Sequence, residues 1–71
     1  MNWNYRVLKQ EINGEIYFGI HEVYYDEIGQ IISCTEKSMI PLCNKIEDIN
    51  YEFELMKDAL KEDIIDSKSF Q

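Results

Sequence analysis

Seventy-one residues make one domain at most, and a chain this short buries only about 60% of the surface its unfolded form exposes. A formal net charge of −7, with seven Lys and Arg in all, disfavours a nucleic-acid or anionic-membrane partner, because phosphate binding depends on neutralising phosphates with basic side chains. Hydrophobic content of 45% excludes a disordered chain, and no segment approaches the ~20 apolar residues that span a bilayer.

The start, MNWNYRVLKQ, lacks the charged-then-apolar order of a signal peptide. Cys34 and Cys43 form no CxxC pair and stand with a single histidine, His21, so reduced thiols in a cytoplasmic protein are expected.

Residues 3–11 alternate, with Trp3, Tyr5 and Val7 on one side and Asn4, Arg6 and Leu8 on the other, which predicts a half-buried strand. Asn13-Gly14 then signals a two-residue hairpin turn, because a type I′ turn needs φ > 0 at both positions. Placing Ile12 opposite Glu15 sets Val7 against Ile20, Arg6 against His21, Tyr5 against Glu22 and Trp3 against Tyr24.

The second strand, residues 16–26, puts Ile16, Phe18, Ile20, Glu22 and Tyr24 on one face, and Tyr17, Gly19, His21, Val23 and Tyr25 on the other. Asp26-Glu27-Ile28-Gly29 reads as a type I turn closed by Gly29 as a bulge. Asp26 would then face Gln30, Tyr24 would face Ile32, Glu22 would face Cys34, and His21 would face Thr35.

Pro41 ends any strand by that point, and Asn44 with Glu47 makes a capping-box pattern. Ile46, Ile49, Phe53, Met56 and Leu60 follow at helical spacing, a single apolar stripe on a helix of about 16 residues. Ile64-Ile65 reads as a last turn or a short fourth strand.

The expected fold is α+β: a three-stranded antiparallel meander (β-β-β-α) with one amphipathic helix packed on one face and a possible short C-terminal fourth strand. The domain covers 1–66, and 67–71 is expected to fray. Under the helix should lie Trp3, Tyr5, Val7, Phe18, Ile20, Tyr24, Ile32 and Cys34.

The stretch from Tyr17 to Asp26, YFGIHEVYYD, with Gly29, Thr35-Glu36 and Pro41, resembles a family of small bacterial proteins with a Tyr-x-Gly-Ile-His-Glu-Val-Tyr-Tyr-Asp strand. In that family the strand leads to a glycine turn, a Thr-Glu strand, a proline and an acidic helix. The resemblance implies this element order and carries no activity. Ile28 and Ile31 depart from it, standing where polar or proline residues are expected, which makes the turn more apolar here.

No catalytic constellation emerges. His21 and Glu22 are adjacent on a strand and point to opposite faces, and neither Ser33 nor Thr35 has an activating partner. One His, two distant Cys and scattered carboxylates match no zinc spacing, and Asp26 and Glu27 lack the ligand alternation of a calcium loop. The chain is therefore read as non-enzymatic, with no metal and no cofactor. Glu22 is the one charge amid the core face, and it needs either a hydrogen bond from Tyr5 or a bulge that turns it outward, with a ligand as the remaining explanation.

The helix-free face is the expected functional surface: Arg6, Tyr17, His21, Val23, Tyr25, Ile31 and Thr35, with Leu8, form an aromatic and apolar patch suited to a protein partner or a second copy. A second reading makes Glu47, Asp48, Glu54, Asp58 and Glu62 an acidic face that mimics nucleic acid and inhibits a basic groove. Residues 44–66 carry eight carboxylates against three lysines, a net of −5. A third reading takes Tyr17, Tyr25, His21 and Arg6 as a base-stacking platform, against which the acidic balance counts.

Overall fold

The computed structural model describes residues 2–70. Its α+β fold is a curled sheet with one helix: β1 (Asn2–Ile12), β2 (Glu15–Tyr25), β3 (Ile31–Cys34), α1 (Ile46–Asp58) and a two-residue β4 (Ile65–Asp66), in the sheet order β3-β2-β1-β4.

The first hairpin follows from its turn. Asn13 at φ 53° and Gly14 at φ 83° adopt the left-handed backbone that a type I′ turn requires. Ile12 faces Glu15, and the ladder runs unbroken through Val7–Ile20, Arg6–His21, Tyr5–Glu22 and Trp3–Tyr24.

The second hairpin closes as the sequence predicts, then departs. Asp26 donates its N–H to the Gln30 carbonyl (2.9 Å), its Oδ1 accepts from Ile28 and Gln30 N–H, and Gly29 takes φ 87°. Tyr25 faces Ile31, but Tyr24 faces Ser33 and Val23 faces Cys34, so Ile32 is the extra residue of a bulge. The expected Tyr24–Ile32, Glu22–Cys34 and His21–Thr35 pairs are not formed. Past the bulge each β3 side chain changes face. Cys34 leaves the helix side to sit opposite Val23, Ile32 lies open to solvent, and Thr35 N–H donates to the Glu22 carbonyl at 2.9 Å.

Helix α1 starts after Lys45 with no side-chain cap, so the Asn44–Glu47 capping box does not form. Glu47 and Asp48 in the first turn and Lys57 in the last suit the helix dipole. Met56 and Ala59 are buried against the sheet, with Ile49, Glu52 and Leu55 half-buried beside them. This arc lies about a fifth of a turn from the expected stripe, so Ile46, Phe53 and Leu60 stay exposed. Two features set that roll. The Tyr5 hydroxyl donates to Glu52 Oε2 at 2.8 Å, and the small Ala59 lets the 3₁₀ turn Ala59–Lys61 pack on β1.

The chain then returns along β1, where Ile65 pairs with Leu8 and Asp66 with Lys9 in parallel. The expected fraying is corrected for residues 67–70. Ser67–Ser69 forms a 3₁₀ turn with Ser67 buried, Asp66 accepts from Lys68 N–H, and the Lys68 ammonium pairs with Glu11 at 3.0 Å. Gln71 lies outside the described residues.

Burial pushes the Tyr5 phenol up to about 12, and the hydrogen bond to Glu52 adds to the effect. The neutral phenol is thus favoured by folding, and its contribution holds below pH 10 and is lost as pH rises from 10 towards 12. Tyr5→Phe should cost about 1–2 kcal/mol at neutral pH, and urea unfolding should show its deficit against the parent closing over that alkaline window. A deficit independent of pH would mean the Tyr5–Glu52 bond does not couple helix to sheet.

Candidate interaction surface

The face opposite α1 is not free. His21 and Val23 are fully buried, Arg6, Tyr25, Ile31 and Thr35 are half-buried, and of the expected interface residues Tyr17 alone is exposed. Leu8, on the same face, is also fully buried. This corrects the sequence expectation: the chain after β3 leaves the sheet and lies over this face of β2, with Ser38 against Gly19.

There the Thr35 carbonyl lies 3.0 Å from His21 Nδ1, so Nδ1 carries the proton, since a carbonyl can only accept. Met39 N–H donates to the Ile20 carbonyl at 2.8 Å. His21 Nε2 is left against Gly19 with no partner among the described residues. From the β1 side, Arg6 Nη2 donates to the Asp63 carbonyl (2.7 Å) and Nη1 to the Tyr25 hydroxyl (3.3 Å), which itself donates to Asn4. These groups clasp chain to sheet. With His21 beneath the surface, no base-stacking platform forms from Tyr17, Tyr25, His21 and Arg6.

Glu22 is half-buried and accepts from the Tyr24 hydroxyl at 2.8 Å, a bond that holds the phenol above its ordinary range. The donor is Tyr24 rather than Tyr5, because Tyr5 turns to the helix.

The open apolar surface lies on the helix side instead. Ile20, Met39, Pro41 and Met56 floor a groove of about 530 Å³ whose rim carries Ile40, Phe53 and Leu60, with Lys57 its one charged residue. Ile40 is 81% exposed, Leu60 69% and Phe53 55%, and Phe18, on the same face of β2 as Ile20, is 61% exposed. Alternation and helical spacing place Phe18, Phe53 and Leu60 in the core, and the structure leaves all three exposed. Their availability was signalled only by the apolar run Met39-Ile40-Pro41-Leu42, which supplies more apolar surface than one short helix can cover.

The exposed area as a whole is large. The chain exposes 5658 Å², whereas a monomer of 8.5 kDa typically exposes about 4,650 Å². Its radius of gyration is 12.9 Å against about 11 Å for a compact domain of this length.

The carboxylates Glu47, Asp48, Glu54, Asp58 and Glu62 are all exposed, and Asp58 pairs with Lys61 at 3.1 Å. Among the described residues no group of three or more His, Cys, Asp or Glu could hold a metal ion, and no helix is long and apolar enough to cross a membrane. Cys34 and Cys43 are free thiols, each pushed up by burial. No family model, curated protein or solved structure matches the chain.

A Cβ added at Gly19 would sit 2.9 Å from Ser38 Cβ and 3.3 Å from His21 Nε2. Gly19→Ala should therefore cost about 1–3 kcal/mol by displacing residues 36–39, read as a lower urea midpoint. An unchanged midpoint would show that this segment does not press on β2.

Proposed function

We propose that this chain is a non-enzymatic interaction module whose helix-side apolar surface docks on another polypeptide. One observation carries the reading: the chain exposes about 1,000 Å² more than a monomer of its mass should, and a standard interface takes about 800 Å² from each partner. The groove beside α1 is a shallow, apolar part of that surface, lined by Ile40, Phe53 and Leu60. A cytoplasmic setting agrees with the two free thiols.

A second reading, an acidic mimic of nucleic acid, draws on the five exposed carboxylates along α1 and its C-terminal end. The two differ in salt dependence. An apolar contact persists at high salt, whereas a charge mimic's complex weakens steeply.

Capture of partner from extracts of the native cell by the immobilised chain should survive about 0.5 M salt. It should fall at least about tenfold in Phe53→Ser and Leu60→Ser, both exposed positions whose replacement leaves thermal stability close to the parent's. Retention by both variants would remove the groove reading, and release by salt alone would favour the mimic.

A further inference from the structure

The N-terminal half of β2 is an open sheet edge. Because the Asn13-Gly14 turn makes Ile12–Glu15 a hydrogen-bonded pair, Glu15, Tyr17 and Gly19 direct their N–H and C=O groups to β1, and Ile16, Phe18 and Ile20 direct theirs away. The Ile20 carbonyl is taken by Met39 N–H, and β3 pairs only from Val23 onward. Among the described residues nothing pairs with the outward backbone groups of Ile16 and Phe18, whose side chains are 50% and 61% exposed. An open edge with apolar side chains is a template for another strand.

We infer that the occupant of this edge is the same edge of a second copy, the two β2 strands pairing antiparallel about a twofold axis at Tyr17 to join both sheets into one. The inference shares with the interaction reading the premise that the chain acts by protein contact, and it names the partner.

The register follows from what is free. Centring on Phe18 would need the Ile20 carbonyl, which Met39 already occupies, and centring on Ile16 would run past the turn at Gly14. Centring on Tyr17 sets Ile16 opposite Phe18 of the other copy, and each such pair exchanges both N–H···O bonds. On the helix side this places apolar against apolar. On the other side Tyr17 meets Tyr17, and Glu15 meets Gly19, so no like charges face each other. A face used twice under one axis closes the assembly at two copies. The side chains this pairing covers on the helix side are Ile16 and Phe18, 50% and 61% exposed in the single chain.

Sedimentation equilibrium of the purified chain is the test. The parent should run at twice 8.5 kDa at tens of micromolar, and its dissociation constant should fall several-fold as salt rises, because both copies carry −7. Phe18→Lys puts a charge on the edge and should raise that constant at least about tenfold. A synthetic chain N-methylated at Phe18 keeps the ring, loses only the outward N–H, and should do the same, so a folding defect in one variant does not decide the result. Circular dichroism checks that each variant remains folded.

A parent that stays monomeric at about 200 µM, or a dimer indifferent to both changes at Phe18, overturns the inference. In the first case, partner capture that is still lost in Phe53→Ser leaves the interaction reading standing. Conversely, an edge-dependent dimer whose groove variants capture like the parent removes the groove and keeps the pairing.

Discussion

Everything in this fold is hung on the unbroken β1–β2 ladder. Eleven residues in each strand, joined by two, assign every side chain to one of two faces, and no later element can revise that assignment. Only one helix follows. It lands where Tyr5 reaches Glu52 and Ala59 meets β1, and it leaves the opposite face, with Leu8, His21 and Val23, without a layer of its own. The chain closes that face with what remains: the connection after β3 on one side and the C-terminal turn on the other. Two shallow half-cores result in place of one deep core, so many apolar side chains stay in solvent.

That arrangement explains which parts of the fold were legible in the sequence. Asn13-Gly14 is a local signal whose backbone demand no tertiary contact can override, and the register it sets is the register observed. The strand–strand–strand–helix order was equally legible, because alternation and helical spacing are strong over these lengths. The bulge at Ile32 was not. Nothing at Ile31-Ile32-Ser33 distinguishes a straight strand from a bulged one, yet one extra residue moved Cys34 from Glu22 to Val23, on the other face, and set Thr35 against the Glu22 backbone. The helix roll was also hidden. Ile49 and Met56 belong to the expected stripe and the observed arc alike, and a polar pair between Tyr5 and Glu52 decided between them.

The candidate site was misread for the same reason. Alternation identified the face lacking a helix and took that face to be the open one, an inference that holds only if helices alone can cover a sheet. Here the polar clasps of Arg6, His21 and Thr35 close it with irregular chain. Meanwhile the groove beside α1 stays open, because a helix of 13 residues carrying Ala59 just past its end approaches β1 closely but does not reach over the outer part of β2.

Charge then limits what those apolar surfaces can do. Net charge of −7 resists approach of any acidic molecule, a second copy included, over the roughly 8 Å that physiological salt allows. The carboxylates named above sit on α1 and just beyond it, while the groove is lined with one lysine and the β2 edge carries Glu15 alone among residues 15–19. Repulsion is thus long-ranged and screened by salt, whereas attraction through Phe18, Phe53 and Leu60 is short-ranged and insensitive to it. In the contacts proposed above, charge opposes the approach and apolar burial alone would hold the partner. The open edge that would invite indiscriminate strand pairing in a neutral protein is in this way restricted to encounters whose geometry brings the apolar rows together.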